Sequence, residues 1–406
     1  VKILLANKFF FLKGGSERVF FNEAELLESR GNSVVFFSMK DPRNRPSPWN
    51  RYFVESVSYT RKTGPVEMIS SAAKIIYSFE ARRNIGELID REKPDLAHLH
   101  NIHHQLSPSI ITALKKRGIP VVMTLHDYKM VCPAYTFFRN GEICEKCAGG
   151  KYYRSFINRC TKDSYLKSLI NVIEMYFHHR ILNLSEIVDV FIAPSRFLMN
   201  KLISMGFQGK IVQQPYLMDT RGYQPVYGSR GRSLCYFGRL SREKGIMTLI
   251  RAMAGVDGKL TIIGTGPEEA CLRRTVEKMA AENIRFLGYL SGQPLREEIR
   301  RCRAVVVPSR WYENYPCSIL EAFALGKLVI GAGIGGIPEM IEENKAGLIF
   351  EPENVDDLRA KIKIILNNHQ TAVTMGRRAR KFIEQELNPA KHYRALSAIY
   401  RKAREG

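Results

Sequence analysis

Short apolar runs of three to five residues recur along the chain, separated by stretches whose apolar positions repeat every three to four residues. The runs at 2–5, 33–37, 96–99, 121–125 and 190–193 predict strands, and after a break they resume at 234–237, 260–263, 304–307 and 328–330. Few of them alternate apolar with polar residues. Runs such as VVM and VVV suit strands buried on both faces, and the helical periods between them predict parallel sheets covered by helices. The break near 214–233, QPYLMDTRGYQPVYGSRGRS, is rich in Gly, Pro, Arg and Tyr and has no period, so it reads as a linker. The pattern predicts an α/β fold of two doubly wound units. The first covers 1–215 with an insertion at 130–165, and the second covers 216–388. A Pro stop at Asn388-Pro389 precedes a last basic helix, Lys391–Glu405, within the C-terminal stretch 389–406.

Composition changes this picture little. Hydrophobic residues make up 45% and charged residues 25% of the 406, as in an ordinary globular chain. No stretch approaches the ~20 apolar residues that span a bilayer. The start, VKILLANKFFFLKGGSE, resembles a signal peptide but offers no small-residue cleavage site, so it reads as a buried strand and a turn. A cytoplasmic location follows as an expectation, with the chain resting on a membrane surface. The net charge of +22 favours anionic partners, and the excess is shared between the two halves. A nucleic-acid-binding protein would satisfy the charge alone, but no motif of such a protein accompanies it. Membrane surface, a phosphorylated substrate and plain solubility all remain open. Within 151–182, Lys151, Arg154, Arg159, Lys162, Lys167 and Arg180 interleave with Tyr152, Tyr153, Phe156, Tyr165, Tyr176 and Phe177. That mixture reads equally as an anionic-lipid interface or as a core helix with a solvated basic face.

Candidate chemistry sits where strands end, since ligands of doubly wound units bind beyond the C-terminal ends of the strands. Glu313-Asn-Tyr-Pro-Cys-Ser-Ile-Leu-Glu321 follows the strand at 304–307. Ser318 is a plausible helix start, placing Glu321 in the first turns and Glu313 in the loop before it. Two carboxylates so placed suit hydroxyls of two parts of one ligand, and helix-start N–H groups suit an anion between them. Gly238-Arg239-Leu240-Ser241-Arg242-Glu243-Lys244-Gly245 follows the strand at 234–237. It supplies the forked and point cations that a diphosphate needs, with glycines for close approach. Gly264-Thr265-Gly266-Pro267 follows 260–263 as a tight turn.

With these motifs in order, the sequence resembles the retaining family 4 glycosyltransferases (group 1) of GT-B fold. The features are GGSE near the start, HD at 126–127, GRL…EKG, GTGP, Phe286–Tyr289, E-x7-E and GGIPE at 335–339. The resemblance implies two Rossmann-like domains facing an interdomain cleft. It implies a sugar donor of the UDP- or GDP-sugar kind and transfer to a glycan or lipid-linked acceptor, as in cell-surface polysaccharide assembly. It implies that Arg239 and Lys244 hold the diphosphate, with Gly14 and Gly15 facing the phosphates. Glu321 would hold the ribose, with Gly264 and Gly266 near the nucleotide. Glu313, with Asn314 and Tyr315, would hold the transferred sugar, and His126 would sit over it. The last helix would cross back to the first domain. A nucleotide-sugar epimerase shares the fold and is the alternative. No Asp-x-Asp pair occurs, so no catalytic metal is expected.

Two clusters remain. Cys132, Cys144, Cys147 and Cys160 (C-x11-C-x2-C-x12-C) suit a structural zinc, a reading from spacing alone, against free thiols or a labile disulfide. Cys235, Cys271, Cys302 and Cys317 read as core thiols. HLHNIHH carries His98, His100, His103 and His104, and reads as a polar acceptor-side loop ahead of a metal site.

Overall fold

The computed structural model describes residues 1–56 and 72–405. Its residues fall into two compact units. One comprises Val1–Thr136, Glu145–Leu217 and Ala390–Gly406, the other Phe137–Cys144 and Met218–Pro389.

The first unit is built on a six-stranded sheet of β1 (Lys2–Ala6), β2 (Ser33–Phe37), β3 (Leu96–Leu99), β4 (Val121–Thr124), β7 (Val190–Ala193) and β8 (Ile211–Gln213). The order is β2-β1-β3-β4-β7-β8 and the pairings are parallel. β3, β4 and β7 are buried at every residue, which is why they lack alternation. Helix Gly15–Ser29 turns Val19, Phe20, Ala24 and Leu27 inward, and Phe10, Phe20, Phe21, Phe36 and Phe53 join the core beside β1. The helix Pro389–Glu405 starts on a proline, which gives up no helical hydrogen bond there, and buries His392, Leu396, Tyr400 and Ala403 along one face. Leu396, Tyr400 and Ala403 enter the first unit's core.

The second unit carries β9 (Ser233–Phe237), β10 (Lys259–Ile263), β11 (Ile284–Phe286), β12 (Ala304–Val307), β13 (Leu328–Ala332) and β14 (Gly347–Phe350). The order β11-β10-β9-β12-β13-β14 is parallel throughout and reverses direction between β9 and β12. That reversal is the switch point at which ligands of such sheets bind. A two-stranded hairpin, β5 (Phe138–Arg139) and β6 (Glu142–Ile143), also belongs to this unit although it lies within the sequence of the first. Its Arg242 and Arg310 contacts explain the placement: Arg242 donates to Asn140 O at 3.4 Å, Arg310 to Gly141 O at 3.1 Å. β8, β11, β14 and the hairpin escape the sequence pattern because each is short or only half-buried.

Candidate functional site

In the second unit the loops leaving β9, β10, β12 and β13 are fastened to one another by their backbones. Gly238 N–H donates to Ile263 O at 3.0 Å and Leu240 N–H to Thr265 O at 2.9 Å. Gly264 has φ +137°, and a Cβ there would lie 1.9 Å from Gly238 O. Gly245 has φ +67°, and a Cβ there would lie 1.9 Å from Pro308 O. Both glycines therefore serve loop-to-loop approach, before any ligand is considered. Arg310 N–H reaches Glu243 O at 2.9 Å, and Gly336 N–H reaches Glu313 O at 2.7 Å. The four strand ends thus present one continuous backbone floor.

Glu313 stands on that floor, 6% exposed. Its Oε1 accepts from Lys244 Nζ at 2.7 Å and from Ser309 Oγ at 2.6 Å. Burial alone would raise the Glu313 pKa, but the Lys244 charge, its hydrogen bond and the Ser309 hydroxyl outweigh it and hold the carboxyl below its ordinary value. The sequence treats Lys244 and Glu313 as separate ligand groups; the fold couples them as one ion pair. Asn314 and Tyr315 follow, both buried. The helix then begins at Cys317, one residue before Ser318, and Glu321 lies buried within it. Arg239 is solvent-exposed.

In the first unit, helix Gly15–Ser29 begins after Gly14, whose backbone is extended, with no side-chain cap on its first turn. Gly14 and Gly15 are exposed, so these N–H groups suit an anion. His126 follows β4 by two residues and is half-buried. Its Nδ1 lies 2.8 Å from Tyr216 Oη and its Nε2 lies 2.9 Å from His100 Nδ1. His100 Nε2 lies 3.3 Å from Glu23 Oε2, and Glu23 Oε1 accepts from His392 Nε2 at 3.2 Å. Burial works against an ionised Glu23, yet His100 and His392 hold its pKa well below the ordinary value. His100 Nε2 and Glu23 Oε2 make no hydrogen bond at this separation, but the carboxylate charge beside Nε2 favours the tautomer with the proton there. His100 Nδ1 then accepts from His126 Nε2–H, and His126 Nδ1 accepts from the Tyr216 hydroxyl. Burial also drives the His126 pKa well below its ordinary value. His126 is therefore a neutral ring with both nitrogens engaged by the protein, not a free acid or base.

Glu23, Tyr216, His392 and Ser309 were not assigned roles from sequence, and His100 was read only as part of a polar acceptor-side loop. Of the four, Glu23 had a local signal: it is a carboxylate on the buried face of a helix, beside Ala24 and Leu27.

Among the described residues, two groups bring three His, Cys, Asp or Glu ligand atoms within 4.8 Å of one another, and neither contains a cysteine. Of the four cysteines whose spacing suggested zinc, Cys144 belongs to the second unit, carried by the hairpin's tie to Arg242 and Arg310, and Cys132, Cys147 and Cys160 belong to the first. Of the four remaining thiols, Cys235 and Cys302 are buried as expected, but Cys271 is exposed, on the outer side of helix Glu269–Lys278.

The 151–182 segment carries an apolar outer surface. Tyr153, Phe156, Ile157, Tyr165, Leu166, Leu169, Ile173 and Ile181 are all exposed. Leu166, Leu169 and Ile173 share one face of helix Tyr165–Tyr176. Arg159 lies over the Tyr165 ring at 5.4 Å, placing a cation at the rim. No helix among the described residues is long and apolar enough to cross a membrane.

Comparison with known proteins follows the same division. The model of Glycosyltransferase Family 4 matches residues 13–220, and that of Glycosyl transferases group 1 matches residues 228–382. An uncharacterized glycosyltransferase of Methanocaldococcus jannaschii is 31% identical over 147 residues, 36% of this chain. The chain spans only 42% of that relative's length. The N-acetyl-alpha-D-glucosaminyl L-malate synthase of Bacillus anthracis is 25% identical over 95% of this chain and 93% of its own. Among solved structures, Anabaena HepE in complex with UDP-glucose aligns with TM-score 0.67 at 16% identity, covering 98% of this chain and 99% of that one. The fold is therefore GT-B, two parallel-sheet Rossmann-like domains.

Proposed function

The chain belongs to glycosyltransferase family 4, and on that premise we propose that it transfers a sugar, with retention of anomeric configuration, from a UDP- or GDP-sugar to a glycan or lipid-linked acceptor. The observation that carries this reading is the Lys244–Glu313–Ser309 group on the backbone floor at the switch point of the second sheet. Arg239 and Lys244 take the diphosphate there. Glu321 takes the ribose beside the turn of Gly264 and Gly266. Glu313, with the backbone of Asn314 and Tyr315, takes the sugar hydroxyls. From the first unit, Gly14 and Gly15 offer N–H groups to phosphate, and His126 offers a neutral ring whose orientation His100, Glu23 and Tyr216 hold. The relatives lend support: HepE was solved with UDP-glucose, and the Bacillus anthracis protein is an N-acetyl-alpha-D-glucosaminyl L-malate synthase.

Charge develops on the departing diphosphate, and the cations of the second unit stabilise it without a divalent metal. Retention with no carboxylate nucleophile assigned points to acceptor attack on the face the diphosphate leaves. Product NMR from purified protein with a nucleotide sugar and acceptor tests this directly. The expected product keeps the donor's anomeric configuration, with turnover unchanged by chelator. An inverted product would overturn the mechanism, and sugar interconversion without an acceptor would favour the epimerase.

We further propose that the first unit docks on anionic membrane from the cytoplasmic side through the exposed apolar face of 151–182. Leu169 and Ile173 enter the interface while the basic residues meet lipid phosphates. Co-sedimentation with vesicles should rise with anionic lipid and fall with salt. Leu169→Asp with Ile173→Asp should reduce recovery at least about fivefold. Equal recovery on neutral vesicles at every salt concentration would refute the docking.

A further inference from the structure

Glu174 and His178 lie four residues apart where helix Tyr165–Tyr176 runs into a π-helical turn, Phe177–Ile181. That spacing puts both on one face, and the face is turned inward: Glu174 is 0% and His178 1% exposed. His103, from the loop after β3, completes a group whose ligand atoms all lie within 4.8 Å of one another. We propose that His103, Glu174 and His178 form a binding site for a borderline divalent metal ion of the Zn²⁺ kind in the first unit, independent of the transfer reaction.

The hydrogen bonds carry the inference. His178 Nε2 lies 2.8 Å from Ile76 O. A carbonyl only accepts, so Nε2 bears the proton and Nδ1 of the neutral ring keeps its lone pair. Burial keeps that ring neutral, lowering its pKa. The lone pair faces Glu174 Oε1 at 3.9 Å, and neither atom has a hydrogen-bond partner. His103 Nδ1 is likewise buried without a partner. Lys129 Nζ satisfies only the other oxygen, Oε2, at 2.7 Å, and His104 Nε2 approaches the same oxygen at 3.3 Å. Two facing lone pairs in a dry interior repel, and each unpaired polar atom keeps its full desolvation penalty. A cation between them removes both penalties.

The donor set selects the kind of cation. Two imidazoles and one carboxylate suit Zn²⁺ and its neighbours, whereas Mg²⁺ and Ca²⁺ call for oxygens throughout. Two ligands of a tetrahedral zinc lie about 3.4 Å apart, so the His178–Glu174 pair at 3.9 Å needs to close by about half an ångström, and His103 must close from within 4.8 Å. The Ile76 carbonyl already supplies the partner that orients a metal-bound histidine. The other three-residue group, Glu23, His98 and His100, does not qualify. Both nitrogens of His98 are hydrogen-bonded, to Tyr400 at 2.8 Å and Thr124 at 2.7 Å, and His100 Nδ1 is taken by His126. The HLHNIHH run thus divides: His98 and His100 enter a hydrogen-bond network, and His103 enters the metal site.

Cobalt tests the proposal on the full chain. Chelator-treated protein titrated with Co²⁺ should take up about one equivalent, with visible d–d absorption and no thiolate charge-transfer band. His103→Gln and His178→Gln should weaken that binding at least about 100-fold. Cys144→Ser with Cys147→Ser should leave it unchanged. Glu174→Gln risks misfolding, because it strands Lys129, so the half-buried His103 is the decisive variant, with circular dichroism confirming its fold. No cobalt taken up by the wild type would overturn the proposal. So would a thiolate band lost in the cysteine variant, or binding that survives in folded His103→Gln.

Discussion

Glu313→Gln should lower turnover by about 100- to 1,000-fold while the dissociation constant of the nucleotide changes less than about tenfold. The amide keeps the shape of the side chain but loses the charge that fixes Lys244 at 2.7 Å and accepts from Ser309 at 2.6 Å. Lys244 would then lose its anchor just where the diphosphate charge develops. The loss falls on the transition state more than on nucleotide binding, since Arg239 and Glu321 remain. Lys244→Ala should lower turnover and also weaken nucleotide binding, because it removes a cation from the diphosphate itself. It leaves a buried carboxylate unpaired as well, so part of its cost should appear in the melting temperature. Because the Glu313 pKa is held below its ordinary value, the carboxylate stays ionised through mildly acidic pH, and no loss of activity from Glu313 protonation is expected at pH 5. Steady-state kinetics beside nucleotide binding by calorimetry makes the separation. Equal losses in turnover and affinity for Glu313→Gln would remove Glu313 from the sugar and make it a plain nucleotide ligand.

The first unit should lose stability steeply between pH 6.5 and pH 4. Burial pushes the pKa of His98 down to about 3, and lowers those of His103, His126 and His178 as well. A folded pKa below the unfolded value means that the unfolded chain takes up protons the folded one refuses. Stability is therefore full above about pH 6.5 and falls as pH drops toward the folded value. At pH 5, His98 alone accounts for about 2 kcal/mol, at about 1.4 kcal/mol per pH unit. Glu23 and Glu174 act in the same direction lower down. Their pKa values are depressed, so their contribution is present above the ordinary carboxylate range and is lost as pH falls through the folded values. The chain has two tryptophans, and Trp49 belongs to the first unit. In a Trp311→Phe background, the Trp49 transition should fall by at least about 10 °C between pH 7 and pH 5. His98→Asn should melt lower at pH 7 yet show a shallower slope with pH. A flat melting temperature across that range would mean that these histidines are already charged in the folded chain.

Much of this molecule was legible along the chain, because the features concerned are local. Strands at 33–37, 96–99, 190–193 and 304–307 coincide residue for residue with the observed elements. A run buried on both faces announces itself without reference to anything distant. The loops after β9, β10 and β12 were equally readable, since each places its charged and glycine residues directly behind a strand. What those glycines do was not: the fit of Gly264 against Gly238 O and Gly245 against Pro308 O depends on strand order. At the cysteines, spacing records only distance along the chain, and the hairpin carrying Cys144 is tied through Arg242 and Arg310 into the second unit.

Tertiary structure alone decided which histidines meet. His98 bonds to Tyr400, 302 positions away, and Glu23 to His392, 369 positions away. No periodicity spans such intervals, so the run HLHNIHH could not say which of its rings would join a hydrogen-bond chain and which would face a carboxylate. By itself the sequence determined the two parallel sheets and the loops that close them, because burial and backbone conformation are written residue by residue. The partners of its buried charges were settled only when helices from opposite ends of the chain packed on one sheet, since an ionisable group in a dry interior takes its state from whatever neighbour the fold brings within reach.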